Sequence, residues 1–190
     1  MYLLIAFLLV GVIPCAAQGQ FSRHVREYSQ SMAPYVTSPQ LIVDRMLQAA
    51  SLKSGDVIYD LGCGDGRVLI TAAQKYRVRA VGVEISESLA KTTEARVRKL
   101  SLQDQIQIIH GNLMNVNLSP ADVVFIYLET GSNDLVRPNL EKFLRAGARV
   151  VSHDYAVRGW KPQRVEKIEV YNRPHAIYVY EMPPLKSNWP

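Results

Sequence analysis

One stretch constrains this chain more than any other. Val57-Ile58-Tyr59-Asp60-Leu61 runs directly into Gly62-Cys63-Gly64-Asp65-Gly66, and the helical pattern of Arg67 to Tyr76 follows at once. A short apolar run ending in glycines reads as a buried strand, a tight turn and a helix start. A strand apolar on both faces needs a layer on each side, which points to a parallel sheet between helices. The rest of the chain keeps the same alternation. Leu41, Ile42, Val43, Met46, Leu47 and Ala50 recur at helical spacing, with Ser38 expected as N-cap and Pro39 in the first turn. Ala80 to Val83, Ile106 to Ile109, Asp122 to Leu128 and Ala148 to Val151 read as further strands; Ser86 to Leu100 and Asp134 to Leu144 read as helices. Then the pattern changes. Arg164 to Tyr171 and Ala176 to Glu181 are rich in Val, Ile and Tyr and are separated by Asn172-Arg173-Pro174, the mark of an antiparallel pair. The expected architecture is an α/β fold: a mostly parallel seven-stranded sheet, helices on both faces and an antiparallel C-terminal edge hairpin. The 190 residues suffice for one such domain.

A strand, a glycine turn, a helix and an acid about twenty residues on form a nucleotide-binding arrangement. Here the acid is Glu84, at the end of the second strand, where it can accept hydrogen bonds from ribose hydroxyls. A dinucleotide fingerprint places its last glycine three residues after the second; that position holds Arg67. A pyrophosphate also calls for bare backbone amides, whereas this loop carries Asp60 and Asp65. Two carboxylates suit a nucleoside that bears an ammonium and a sulfonium and no phosphate, which is S-adenosyl-L-methionine.

Residues 57 to 66 resemble the first motif of class I methyltransferases, whose fold is Rossmann-like. On that resemblance, the cofactor-binding set is Asp60, Gly62, Gly64, Asp65 and Gly66, with Glu84 as the ribose acid. Asn112, in His110-Gly111-Asn112, falls where an Asp or Asn contacts the adenine amino group. A narrower similarity covers about residues 34 to 162. Pro34-Tyr35-Val36-Thr37-Ser38, the Asp-Leu-Gly-x-Gly-Asp-Gly-Arg segment and Gly147-Ala148-Arg149-Val150-Val151 resemble the small protein-lysine methyltransferases with an N-terminal membrane segment. In eukaryotes these modify lysines of mitochondrial inner-membrane proteins, including an ATP synthase subunit and the adenine nucleotide carrier. The resemblance implies an N-methyltransferase acting on a protein lysine, possible membrane substrates, and a closing role over the cofactor for Tyr35 and Thr37. A small-molecule methyltransferase and a non-catalytic binding module of the same fold are the competing readings.

The fourth strand's end should lie beside the transferred methyl, which makes Tyr127 and Glu129 the candidate catalytic residues. His153 and Asp154 follow the fifth strand and are expected to line the acceptor pocket, and Trp160-Lys161-Pro162 reads as a substrate-side lid or a core anchor. The four histidines are scattered without ligand-like spacing, so no metal is expected. No Asn-Pro-Pro-Tyr or Asp-Pro-Pro-Tyr sequence and no aromatic-basic interleaving are present, which argues against a nucleic-acid partner. Between Arg145 and Arg173 seven Lys or Arg face three Asp or Glu, a basic bias within a net charge of +5.

Tyr2 to Ile13 is unbroken and apolar, and the first charged side chain is Arg23. Cys15-Ala16-Ala17 offers small residues for signal-peptide cleavage, while Arg23, His24 and Arg26 suit an uncleaved anchor with the body facing the cytosol. Export would separate the enzyme from its cofactor. Cys63 is the single cysteine after this segment, so the body has no internal disulfide. The expected organisation is a signal or membrane anchor at 1–20, a linker and cofactor-closing lead-in at 21–37, the catalytic domain at 38–182 and a flexible tail at 183–190, with the chain monomeric.

Overall fold

A computed structural model of the chain describes residues 31–186. Helix α1 (Gln40–Ala49) precedes β1 (Val57–Leu61), α2 (Arg67–Tyr76), β2 (Arg79–Glu84), α3 (Glu87–Lys99) and β3 (Ile106–His110). Then come β4 (Val123–Ile126), α4 (Thr130–Phe143), β5 (Arg149–His153), β6 (Trp160–Lys161), β7 (Arg164–Val170), β8 (Arg173–Glu181) and β9 (Leu185–Lys186). Seven strands form one sheet in the order β3-β2-β1-β4-β5-β8-β7, and β6 pairs with β9 as a separate ribbon. Strands β1 to β5 are parallel to one another, and β8 runs antiparallel between β5 and β7. The expected sheet is therefore the observed one.

Successive residues of the central strands alternate between two cores. Ile58, Val123, Phe125 and Val151 pack with Ile42, Val43, Met46 and Leu47 of α1, Leu69 and Ala72 of α2 and Val97 of α3. Tyr59, Leu61, Val124, Ile126 and Val150 pack on the other face with Val136 and Leu140 of α4, and with Trp160 and Tyr180. Burial on both faces is why these strands read as unbroken apolar runs rather than alternating ones. Arg149 ties the first layer to the sheet. Its guanidinium donates to the carbonyls of Ala50 and Ser51 at the end of α1, at 2.6 and 2.7 Å, and meets Asp56 at 2.7 Å. Those carbonyls would otherwise be unmet ends of the helix.

Several local expectations are corrected. Ser38 does not cap α1: Pro39 occupies the N-cap, and the Ser38 hydroxyl lies 2.9 Å from His153 Nδ1. Strand β4 ends at Ile126 and α4 begins at Thr130, so Tyr127, Leu128 and Glu129 form the turn between them. The β7–β8 turn lies at Tyr171-Asn172, both at positive φ (53° and 57°), and Pro174 is inside β8. Residues with positive φ at both central positions match a two-residue hairpin to the strand twist. Pro174 is tolerated because the β5 pairing of β8 extends only from Ile177 to Glu181, leaving its nitrogen no ladder partner to satisfy. Within the expected tail, Leu185 and Lys186 form β9, and Lys186 pairs with Glu141 at 2.5 Å; residues 187–190 lie outside the described residues. No helix among the described residues is long and apolar enough to cross a membrane, and the apolar N-terminal run lies outside them.

Gly82 of β2 sets how closely the glycine turn can approach the sheet. A Cβ there would lie 2.5 Å from Leu69 Cδ1 and 2.6 Å from Cys63 Sγ. Gly82→Ala is expected to destabilise the fold by about 1–3 kcal/mol, the usual scale of overpacking. Urea unfolding measures this, and an unchanged midpoint would mean that α2 and the turn shift without strain.

Candidate active site

The strand order reverses between β1 and β4, and in an open parallel sheet ligands bind in the crevice at that point. A cavity of about 730 Å³ opens there, lined by residues following β1, β2, β3 and β4 and by the lead-in 31–38. It brings together Tyr35, Thr37, Asp60, Gly62, Gly64, Asp65, Glu84, Asn112, Tyr127 and Glu129. Gly66 is the exception. It does not line the cavity but caps α2 at φ 72°, and a Cβ on it would lie 2.5 Å from Thr93 Cγ2. It lets the chain turn into α2 against α3. The lead-in belongs to the folded unit from Ser31 onward: Met32 and Ala33 pack against the second core, and the Ser132 hydroxyl donates to the Met32 carbonyl. Residues 21–30 of that expected segment lie outside the described residues.

The glycine turn is stitched to the end of β2. Gly62 and Cys63 both donate to the Val83 carbonyl, at 2.8 and 3.0 Å, and Gly64 donates to Glu84 Oε2 at 2.9 Å. The other Glu84 oxygen accepts from the Ser86 amide at 2.9 Å. Each carboxylate oxygen keeps a second lone pair, so the carboxylate is aimed and still able to accept two hydroxyls. Asn112 Oδ1 accepts from the Met114 amide at 2.9 Å, which fixes the side chain beside the apolar walls of Ile85, Leu89 and Leu113. The Tyr35 ring crosses the turn so closely that a Cβ on Gly64 would fall 2.7 Å from its Cε2.

The three acids of this site are not equivalent. Asp60 is 7% exposed, and burial, with the charges of Glu84 and Asp65, raises its pKa to about 7. Asp65 has opposite surroundings. Burial works to raise its pKa, but the hydrogen bonds and charge of Arg67, with Arg96, outweigh that and lower it. Arg67 grips Asp65 at 2.8–3.2 Å and also reaches the Ser38 carbonyl at 2.6 Å. Asp65 therefore organises the turn and the lead-in, and its charge is largely answered by protein cations. Asp60 is the carboxylate that a cationic ligand would relieve. Burial also raises the Cys63 thiol, which rules it out as a nucleophile.

At the other end of the cavity, Tyr127 is half-buried and Glu129 is exposed at the mouth. Burial, then the charge and hydrogen bond of Asp154, raises the Tyr127 pKa, so its hydroxyl keeps its proton. His153 and Asp154 do not line the cavity as expected. His153 is fully buried with its ring centroid 4.0 Å from that of Tyr127, and it forms the wall behind that ring. Its Nε2 lies 3.0 Å from His175 Nδ1, which lies 2.9 Å from Asp154 Oδ2. The three side chains converge although the spacing of the histidines along the chain showed no ligand-like pattern. Linear spacing could not show it, because β8 returns antiparallel to β5 and places His175 beside residues 21 and 22 positions earlier. Trp160 is a core anchor rather than a lid: it is fully buried and donates to Glu141 Oε1 at 2.7 Å.

The residues fit S-adenosylmethionine: a buried carboxylate surrounded by negative charge, an aimed ribose acid and apolar walls. Fold and site define a class I methyltransferase that uses this cofactor. A family model described as "ANTKMT methyltransferase domain" matches residues 60–164. The chain belongs to that family. It is 44% identical over 148 residues to a protein-lysine N-methyltransferase of Saccharolobus islandicus (strain REY15A), covering 77% of this chain and 92% of that one. It is 27% identical over 132 residues to the adenine nucleotide translocase lysine N-methyltransferase of Mus musculus, covering 70% of this chain but 57% of that one. Among solved structures, an RNA methyltransferase from Salinibacter ruber in complex with S-adenosyl-L-homocysteine superposes with a TM-score of 0.74 at 35% identity, covering 80% of this chain and 97% of that one.

The raised Asp60 pKa has a stability consequence. Between its ordinary value of 3.8 and about 7 the folded protein holds a proton that the unfolded chain has released. Stability contributed by this group is fully present at low pH and lost as pH rises toward about 7, by up to roughly 4 kcal/mol. Asp60→Asn is expected to remove that slope from the ligand-free protein, measured as urea midpoints between about pH 5 and about pH 8. A variant that follows the wild type throughout would show Asp60 to be ionised across the range.

Proposed function

We propose that this enzyme methylates the Nζ of a lysine in a protein substrate, with a membrane protein as the favoured class. The observation that carries the reading is the match to the Saccharolobus protein-lysine N-methyltransferase, which spans nearly all of that relative. The cavity is consistent with it. When bound, S-adenosylmethionine supplies an electrophilic methyl group. Glu84 would hold its ribose, Asn112 its adenine and Asp60 its positive charge, while Tyr35 and Thr37 cover the turn. Ile126 and Leu128 give the acceptor end apolar walls, which favour the neutral amine that methylation needs. These residues would hold the amine nitrogen in line with that methyl group for direct transfer. Tyr127 would orient that amine, and the Glu129 carboxylate at the mouth would help to hold it in place. Positioning is the main contribution required in such a displacement, so no catalytic triad is needed.

The apolar run Tyr2 to Ile13 followed by Arg23 and Arg26 supports attachment to a membrane with the catalytic domain on the cytosolic side, where the cofactor is made. One specific observation favours a second acceptor class, the 35% identity to the Salinibacter RNA methyltransferase.

Labelling decides between them. Full-length protein and radiolabelled S-adenosylmethionine are incubated with membrane, soluble-protein and RNA fractions of the same cells. Label is expected in a membrane-fraction polypeptide, resistant to ribonuclease and mapping to lysine by mass spectrometry. Label confined to RNA would replace the lysine reading. Separately, Glu84→Ala is expected to weaken cofactor binding by about 2 kcal/mol, roughly 30-fold, the scale of losing charged hydrogen bonds. Unchanged affinity by calorimetry would remove Glu84 from the ribose site.

A further inference from the structure

We propose that His153, Asp154 and His175 form a binding site for a divalent transition-metal ion of the zinc class. His153 Nε2, His175 Nδ1 and Asp154 Oδ2 make a triangle with edges of 3.0, 2.9 and 3.3 Å. Hydrogen bonding cannot satisfy this triangle. An aromatic ring nitrogen carries either a proton or a lone pair, never both. If both nitrogens carry protons, two N–H groups face each other across the histidine–histidine edge. If one or neither does, at least one bare nitrogen faces the Asp154 carboxylate oxygen.

A cation between the three atoms removes that conflict on all edges together. Bonds of about 2.0–2.2 Å to two imidazoles and one carboxylate, at angles of roughly 90–110°, place the donor atoms roughly 2.8–3.6 Å apart, a range that contains the separations found here. Two histidines and one carboxylate are a donor set suited to zinc, iron or cobalt, with the remaining positions open to water.

The surrounding contacts orient each donor. His153 Nδ1 lies 2.9 Å from the Ser38 hydroxyl, so a proton held there leaves the Nε2 lone pair facing the triangle. The Ala176 amide donates to Asp154 Oδ1 at 2.9 Å, leaving Oδ2 as the single oxygen turned inward. The Asp154 amide in turn donates to the Ala176 carbonyl at 2.7 Å. Asp154 itself sits at φ 60° in a three-residue turn closed from the Tyr155 amide to the His153 carbonyl at 2.7 Å. Such turns are rare and strained, and strain of this kind is retained where a side chain must be aimed. The side chains are 0%, 23% and 11% exposed for His153, Asp154 and His175, which limits competition from water. The ion would clamp the end of β5 to β8 directly behind Tyr127 and so set that ring without entering the cavity.

The test uses the full-length chain without an affinity tag, stripped with a chelator and titrated with Zn²⁺ by calorimetry and with Co²⁺ by visible absorption. One equivalent of Zn²⁺ is expected to bind, and Co²⁺ is expected to give ligand-field bands of a nitrogen–oxygen site. His175→Ala and Asp154→Asn are expected to lose stoichiometric binding while still binding S-adenosylmethionine. Ser38→Ala is expected to weaken it roughly tenfold. Absence of Zn²⁺ binding and of a Co²⁺ spectrum in the wild-type chain would overturn the site, whatever the variants do. So would wild-type binding that survives both His175→Ala and Asp154→Asn, since the ion would then be held elsewhere.

Discussion

The attachment of the glycine turn to the end of β2 governs the rest of the site. Val83 accepts two amides of the turn and Glu84 accepts a third, so β1 and β2 end at a common level with their carboxylates converging. Gly82 makes that attachment possible, because the space a side chain would fill is taken by Cys63 and Leu69. The turn is thus held from beneath by packing and from the side by hydrogen bonds. The turn itself is already held in place before a cofactor arrives, which lowers the entropic cost of binding.

Convergence of acids is costly unless charge is answered, and the molecule answers it unequally. Arg67 and Arg96 neutralise Asp65, while the charges that act on Asp60 are those of two other carboxylates. One acid has become a structural clasp between the turn and the Ser38 carbonyl; the other is left to favour a positive ligand. The same division of labour recurs at the acceptor end. Tyr127 faces the cavity, and His153, His175 and Asp154 stand behind it as a buried polar group. Buried polar groups must be fully satisfied to be stable, which is why the unmatched edge of that triangle carries meaning.

Much of this was legible in the residues. The strand and helix pattern was readable because both faces of β1 and β4 are buried and the helices between strands carry 3.6-residue periodicity. The positions of Asp60, Glu84, Asn112 and Tyr127 followed, since each lies at or within two residues of the end of a strand on the ligand-binding edge. Ser38 was misread because a serine before a helix is usually its cap, and here a histidine far along the chain takes the hydroxyl. Gly66 was misread because all glycines of the turn look alike in sequence, yet one faces α3 rather than the cavity.

The sequence by itself determined the class of fold, the nucleotide-binding edge and the exclusion of a phosphate-rich ligand, because those depend on local periodicity and on charges a few residues apart. Only the tertiary structure decided which acid is left without a protein cation beside it, how the lead-in closes the cavity and that His175 meets His153 and Asp154. Those depend on distances between residues remote along the chain, and such distances are set by how β8 returns beside β5 and how α1 packs across both.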